Sequence, residues 1–344
     1  MLKHFVVTRL GLGVYSERRI ADVVSLFEAV TLPSLAGQTS QDFLWLVVVD
    51  AGMPAAASRQ VERMLQPYSN FHLVTLDVTE LTHVRHGCFD WVWDRCQDYI
   101  LETSLLRDPP QYIITSVIDA DDAWHHDVIR AVNACMSAQL PQVQIGEESR
   151  GTWLRHSAGV AATFRHGYKW FIDADVWEPF DCPFMSMSVF VVARFSSGIS
   201  ACSSRHLGWP SFCKVLAFEM LEIAQDEPMW VYARHDRATQ PWVLSSVSGG
   251  EMAGSLDRCR VFGIDRNKLR QRQGVTAHGA TAASLKSYSG RNASDQYDRI
   301  FKIAALNRKI AALNRRNELG ELAAAEGERT RLIGMLRKCG EMDV

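Results

Sequence analysis

The stretch YIITSVIDADD, residues 112–122, joins a run of seven residues suited to a buried strand to three carboxylates. Such a run, rich in apolar and β-branched residues, is typical of a central strand that is buried on both faces. Two similar runs precede it, His4–Thr8 and Phe43–Val49, and segments with helical spacing of apolar residues lie between them. This alternation predicts an α/β fold with a mostly parallel central sheet flanked by helices.

The carboxylates of Asp119, Asp121 and Asp122 follow this strand directly. Ligands of parallel sheets bind at the carboxyl ends of strands, and neighbouring carboxylates repel one another unless a cation lies among them. Hard oxygen ligands suit Mg²⁺ or Mn²⁺, with substrate phosphates completing the shell. The motif therefore predicts that these three aspartates hold a metal ion against a phosphorylated substrate. Aspartates that cap a following helix are the alternative.

The acidic motif and one earlier motif together resemble a known superfamily. SLAGQT at residues 34–39, leading into a strand that ends on Asp50, resembles the opening of GT-A-type glycosyltransferases, and IDADDA at residues 118–123 resembles their DxD motif. The remaining motifs are similar in order to those of a bacterial rhamnosyltransferase family: Thr8-Arg9, residues 26–28, residues 32–35, Thr115 and Met229-Trp230. That family has an arginine two residues before the acidic motif, where this chain has Val117, which weakens the transfer of contacts from this strand.

The resemblance implies a GT-A-like, Rossmann-like domain over residues 1–285. It implies a metal-dependent and inverting transfer of a sugar, with rhamnose as one choice, from a nucleoside-diphosphate sugar to a glycan or lipid-linked acceptor. The cofactor would be Mn²⁺ or Mg²⁺. Asp119 would also contact the donor, and Asp50 would face the nucleoside. The candidate phosphate or base contacts are Arg9, Arg85, His235 and Arg237; for Arg9 and Arg85 an ordinary surface position is an equal alternative.

Inverting transfer requires a general base for the acceptor hydroxyl. The pair Asp226-Glu227 resembles the acidic catalytic pair that such enzymes place at a helix start. With Pro228 it interrupts a pattern of helical spacing over Lys214–Ala233. Spacing does not choose between the two carboxylates. The alternative is that they cap this helix, with Pro228 in its first turn.

A second Asp-Ala-Asp sequence at residues 173–175 follows a shorter apolar run and offers an alternative metal site. Two other functions compete with sugar transfer. A magnesium-dependent phosphohydrolase also uses DxD after a strand, but at the first strand of its sheet. A catalytically inactive GT-A-like binding protein would leave the acidic clusters without a use.

The segment 286–344 predicts a separate helical tail. IAALNRK at residues 303–309 is repeated almost literally at residues 310–316, with Ile and Leu at the core positions of a two-stranded coiled coil. This pattern predicts a homodimer through residues 296–338, or an amphipathic helix that packs on its own domain. Because the tail is basic, peripheral contact with an anionic membrane is a further option.

Composition excludes several classes of protein. The formal net charge of −2 argues against nucleic-acid binding, and the longest apolar run, Phe43–Val49, is far short of the roughly 20 residues that a membrane-spanning helix needs. The eight cysteines form no CxxC pair, which is typical of a reducing compartment. We therefore expect a cytoplasmic protein, with the inner face of the membrane as the option for its tail.

Overall fold

The computed structural model describes residues 2–82, 89–149, 159–173, 175–204, 208–216, 218–235, 255–276, 291–316 and 319–338. The strands are, in chain order, β1 (Lys3–Leu10), β2 (Leu44–Asp50), β3 (Phe71–Leu76), β4 (Tyr112–Val117), β5 (Ala123–Trp124), β6 (Val160–Thr163), β7 (His166–Phe171), β8 (Val176–Asp181), β9 (Val189–Arg194), β10 (Glu219–Glu222) and β11 (Trp230–Arg234). The helices are α1 (Glu17–Leu26), α2 (Leu32–Ala36), α3 (Ala55–Leu65), α4 (Asp90–Glu102), α5 (Val128–Ser149), α6 (Trp209–Leu216), α7 (Ser255–Val261), α8 (Arg266–Thr276), α9 (Arg291–Arg316) and α10 (Leu319–Lys338).

Seven strands form a central sheet in the order β10-β6-β9-β4-β1-β2-β3. In it β9 runs antiparallel to both neighbours, and the other pairs are parallel. Alternate residues of β1 belong to different apolar clusters, Val6 and Leu10 to one and Phe5 and Val7 to the other. Both faces of the sheet are therefore buried, which confirms the predicted α/β architecture with a mostly parallel central sheet.

A second sheet has the order β5-β11-β7-β8. Its edge strand β5 directly follows the acidic motif. β5 pairs antiparallel with β11, so that Ala123 lies opposite Val231 and Trp124 opposite Trp230. This pairing places the end of β11 beside the acidic motif.

The apolar spacing over Glu17–Gln38 predicts a helix that Pro33 ends or bends, and the structure has a continuous helical stretch here up to Ala36. A π-helix over Phe27–Thr31 connects α1 to α2, and Pro33 lies in the first turn of α2 rather than ending the helix. Proline is tolerated there because the first helical N–H groups have no partner within the helix.

The predicted helix over Lys214–Ala233 is wrong. The structure has the end of α6, then the two strands β10 and β11, in this stretch. β10 is a short edge strand and β11 an interior strand of a mixed sheet, so tertiary pairing overrides the local helical spacing. Asp226 and Glu227 consequently lie in a bend before β11 and start no helix.

The tail forms two helices, α9 and α10, that pack against each other and on the domain. Ile303 and Leu332 belong to the same apolar cluster as Phe5 of the central sheet. Asn307 in the first repeat is buried and donates to the carbonyl oxygens of Thr79 and Leu81. The alternative of a helix on its own domain is therefore observed, and the homodimer stays a prediction that must use other surfaces than Ile303.

Within the described residues, no helix has the length and apolar character needed to cross a bilayer.

Candidate active site

The acidic motif lies where β1 and β4 end side by side. Val7 pairs with Val117, so the residues two positions further on, Arg9 and Asp119, emerge together at the carboxyl edge of the sheet. Arg9 Nη2 donates to Asp119 Oδ1 at 2.6 Å, and its guanidinium carbon lies 3.7 Å from the centre of the Phe89 ring. Only 11% of the Arg9 side chain is exposed. Arg9 is therefore a residue of this site, and the alternative of an ordinary surface arginine is wrong.

The end of β11 supplies partners for the other two carboxylates. The N–H of Ala233 donates to Asp122 Oδ1 at 2.9 Å, and His235 Nε2 lies 3.0 Å from Asp121 Oδ2. Asp122 is completely buried, and its Oδ2 has no hydrogen-bond partner among the described residues. A buried carboxylate oxygen without a donor is costly unless a cation or a proton compensates it.

The electrostatic environment of Asp122 reflects this arrangement. Burial raises the pKa of Asp122 well above its usual range, and the charges of Asp121 and Asp119 raise it further. The Ala233 N–H and the Arg234 guanidinium oppose this rise. The site therefore concentrates negative charge that one added cation would stabilise.

Two residues of β11 that the sequence did not single out, Tyr232 and Arg234, belong to this edge. Arg234 is buried, donates from Nη1 to the Tyr232 hydroxyl at 2.7 Å, and lies 4.7 Å over the Tyr232 ring. Burial raises the pKa of Tyr232, and the cation of Arg234 opposes this. The short run of aromatic and β-branched residues from Trp230 to Tyr232 was the available sign of a strand, although it does not report the neighbouring strands.

The acidic motif fits a divalent cation in donor chemistry, because it offers hard carboxylate oxygens and one buried oxygen without a donor. The three carboxylates do not all converge on one point. The group of three metal-ligating side chains that brings its ligand atoms within 4.8 Å of one another, in the part of the chain described, is His125, His126 and Asp127. An ion at the acidic motif would therefore use one or two of the aspartates together with substrate oxygens.

The His125 group is already occupied by protein contacts. Asp127 accepts from the Thr39 hydroxyl at 2.7 Å and lies 2.8 Å from Arg130 Nη2. His126 Nδ1 lies 3.1 Å from the Val261 carbonyl oxygen. These contacts give the group a structural role at the start of α5.

Asp50 ends β2, the strand on the other side of β1. Its carboxylate accepts from the N–H groups of Gly13 at 3.0 Å and Gly52 at 2.7 Å, and from the Tyr15 hydroxyl at 3.2 Å. A Cβ on Gly52 would lie 2.5 Å from the Tyr15 ring, so glycine is required there. Burial raises the pKa of Asp50 although the three donors oppose it. Asp50 is a rigid acceptor on the same edge as Arg9.

Asp226 and Glu227 lie at the opposite end of β11. Glu227 Oε2 is 3.1 Å from His125 Nε2, and the Glu227 side chain is 72% exposed. At about 3.3 Å per residue, the stretch from Met229, which binds the His125 N–H, to Ala233 spans about 13 Å. The structure does not bring this pair to the acidic motif. Nothing here tests the predicted general-base role directly, but this separation leads us to expect little loss of catalysis when either carboxylate is changed.

Asp175 of the second Asp-Ala-Asp sequence is bound by protein donors. It accepts from the indole N–H groups of Trp170 at 3.2 Å and Trp177 at 3.4 Å, and from Arg266 at 2.5 Å. A carboxylate so occupied lacks the free oxygens that a metal ion requires. The remaining predicted contacts, Arg85 and Arg237, lie outside the described residues.

Comparison with known proteins gives a family and a set of structures. Residues 12–241 match the family model described as "Putative rhamnosyl transferase". No curated protein gives a match. The chain is similar to S. aureus TarS 1-349 in complex with UDP, with 9% identity and a TM-score of 0.32 over 99% of this chain and 90% of that one. It is also similar to a "putative nucleotide-diphospho-sugar transferase" from Desulfovibrio desulfuricans G20, with 10% identity and a TM-score of 0.30 over 79% of this chain and 98% of that one.

The family match spans more than half of the chain and includes Asp50, the acidic motif and β11. The chain belongs to this rhamnosyl transferase family and is a glycosyltransferase.

Proposed function

We propose that the protein transfers a sugar, with inversion, from a nucleoside-diphosphate sugar to a glycan or lipid-linked acceptor, and that the transfer depends on Mn²⁺ or Mg²⁺. The observation that carries this proposal is the buried Asp122 oxygen, which has no donor among the residues that the structure describes, beside Asp119 and Asp121 at the carboxyl end of β4. The family membership supports sugar transfer and favours rhamnose as the sugar.

The residues that would hold the ion are Asp121 with Asp119 or Asp122. A bound divalent cation supplies charge stabilisation to the diphosphate as it leaves. Arg9 and Arg234 lie beside the same carboxylates and add fixed positive charge where diphosphate oxygens would lie, and the His235 ring adds a hydrogen-bonding nitrogen. Such preorganised charge is most effective in a site that excludes water.

Asp50 would orient the nucleoside. Its carboxylate is fixed by three donors, two of them backbone N–H groups, and lies on the sheet edge next to Arg9. A carboxylate that keeps one orientation selects for a base or ribose donor at a defined distance, because its two oxygens hold fixed positions.

Calorimetric titration with UDP- and dTDP-sugars, with and without Mn²⁺, tests the proposal. We expect donor binding that requires the ion and is lost in Asp121→Ala. Asp173→Ala, which changes an exposed carboxylate of the second Asp-Ala-Asp sequence, is the matched control and should bind as wild type does. Failure of the wild type to bind any donor, or unchanged binding by Asp121→Ala, would contradict the proposal.

A further inference from the structure

One side of the segment that carries the acidic motif is paired with no strand among the residues that the structure describes. β5 is the edge strand of the four-stranded sheet, so its backbone pairs with β11 on one side only. The segment from the end of the π-helix to Thr39 lies on the other side of β5. Its side chains bind the backbone groups that do not pair with β11.

The Thr31 hydroxyl binds both ends of the acidic turn. Its single proton is directed at the Asp122 carbonyl oxygen at 2.9 Å and the Asp119 carbonyl oxygen at 3.3 Å. The turn between these carbonyls is closed by one backbone bond, from the Asp122 N–H to the Asp119 carbonyl at 3.2 Å. The position of Asp121, in the middle of this turn, therefore depends on Thr31.

Two further side chains continue the contact along the chain. Ser34 Oγ donates to the Trp124 carbonyl at 3.0 Å and accepts from the Trp124 N–H at 2.8 Å, as a neighbouring strand would do. Gln38 Nε2 donates to the His125 carbonyl at 2.9 Å, and Gln38 Oε1 accepts from the Ile129 N–H at 3.1 Å. These bonds extend from the acidic turn into the first turn of α5.

The three side chains share one face and are buried. Thr31, Ser34 and Gln38 are spaced three and four residues apart, and their exposed fractions are 0%, 1% and 5%. Buried polar side chains are unfavourable unless their partners are supplied, and here the partners are backbone groups of residues 119–129. Apolar residues would fill this face with no such requirement, so the polar choice serves the backbone that it binds.

We propose that Thr31, Ser34 and Gln38 are positioning residues that fix the acidic motif in the geometry that binds the metal ion and the donor diphosphate. The proposal rests on the proposed function for its consequence in catalysis. None of the three side chains is placed to touch the donor; each acts through the backbone of residues 119–129.

The first test compares Thr31→Val with Thr31→Ser. Valine preserves the shape and removes the hydroxyl, whereas serine keeps it. We expect Thr31→Val to raise the Mn²⁺ concentration for half-maximal donor binding roughly five- to tenfold, the effect of losing about one hydrogen bond at the site, and to raise KM for the donor more than it lowers kcat. Thr31→Ser should restore wild-type values within about twofold.

The matched control is Thr8→Val. Thr8 is also completely buried, and its hydroxyl accepts from Trp45 Nε1 at 2.9 Å rather than binding the acidic turn. We expect this variant to lose a similar amount of thermal stability with no change in the response to Mn²⁺. An equal shift in both valine variants, or no shift in a folded Thr31→Val protein, would overturn the proposal.

Hydrogen exchange separates this proposal from the proposed function. In Ser34→Ala and Thr31→Val, amides of residues 122–129 should exchange roughly fivefold faster without any ligand, because Trp124 N–H or the turn itself loses its partner. Unchanged exchange in both variants would refute the positioning role. Faster exchange in a protein whose wild type binds no nucleotide sugar would leave the positioning role standing and reject the proposed function.

Discussion

The sequence Asp-Ala-Asp occurs twice in this chain, at residues 119–121 and 173–175, with opposite surroundings. The first copy follows a strand of the central sheet, and its carboxylates contact Arg9 and His235. Beside them lies the buried Asp122 oxygen, which has no donor within the described part of the chain. In the second copy, Asp175 lies between two tryptophan side chains and Arg266 and has a positive φ of 49°. The first copy has capacity for a ligand, whereas Asp175 of the second is already bound by protein donors.

The difference shows that the residues around an Asp-Ala-Asp sequence decide whether its carboxylates are available to a ligand. Both copies follow an apolar run, so the local sequence predicts a metal site for each. Trp170 and Trp177 stack with ring centres 4.8 Å apart, and the Asp175 carboxylate accepts hydrogen bonds from both of their indole N–H groups. We therefore expect substitutions in the first copy to affect activity, and substitutions in the second to affect stability.

The largest effect is expected from Asp121→Asn. The change removes one negative charge that would hold the ion, and charge stabilisation by a metal is worth several kcal/mol. At 1.36 kcal/mol per tenfold, this corresponds to a loss on the order of 1000-fold in kcat/KM. Its side chain is 29% exposed, so stability should change little. Transferase assays beside thermal unfolding check this, with Asp173→Asn as the control. A variant with near wild-type activity would show that the first copy is not the metal site.

A histidine beside the strand that precedes the first copy predicts that the stability of the protein depends on pH. His4 is buried, and its ring nitrogens lie 2.9 Å from Ser116 Oγ on β4 and 2.8 Å from Asn133 Oδ1. Burial lowers the pKa of His4 from 6.5 to about 4. Between these values the unfolded chain binds a proton that the folded chain does not. The free energy of unfolding should therefore fall as the pH falls from 6.5 to about 4, by up to about 3 kcal/mol.

Urea unfolding of the wild type and of His4→Gln across this pH range measures that contribution. The wild type should lose more stability than the variant by the stated amount, because glutamine keeps polar contacts and does not titrate. Parallel loss in the two proteins would show that His4 is protonated in the folded state. β7, the strand before the second copy, has no comparably buried histidine among the described residues.

A smaller effect, on stability alone, is expected from Asp175→Ala. The change leaves two indole N–H groups and Arg266 without this acceptor, and alanine is disfavoured at positive φ, so the free energy of unfolding should fall by about 2 kcal/mol. Asp175→Asn keeps one acceptor oxygen and tolerates this φ, and should cost about 1 kcal/mol. KM for the donor should not change in either variant. A metal-dependent loss of donor binding in either variant would show that the metal ion binds at the second copy.

The fold was predictable from the sequence where pattern and pairing agree. The apolar runs ending at Val49 and Ile118 indicated central strands, and the structure places both in the parallel sheet. The location of Asp50 and Asp119 on one edge follows, because parallel neighbours end together. The length of each apolar run was enough to predict these strands, because a strand that is buried on both faces accepts few residues other than apolar ones.

The rest depended on contacts distant in the chain. Residues 230–234 become a strand because β5 and β7 flank them, and no local property of MWVYAR reports these neighbours. The same holds for Arg234, whose importance comes from its position near Asp122. Ile303 likewise carries a dimer pattern that the structure uses against its own domain, because an apolar helical face does not specify what covers it.

The smallest effect is expected from Glu227→Gln, which tests a third acidic pair against the two Asp-Ala-Asp copies. A general base contributes about 10²–10⁴ to the rate, but Glu227 contacts His125 at the end of β11 away from the acidic motif. Glutamine preserves an acceptor for His125, so we expect less than a threefold change in kcat and an unchanged melting temperature. Asp226→Asn, on the neighbouring residue, is the control for local charge. A loss of 100-fold or more in either variant at saturating donor would instead establish the general base. It would also require the two substrates to bind at opposite ends of β11, with the acceptor hydroxyl near Glu227 and the donor diphosphate near Asp121.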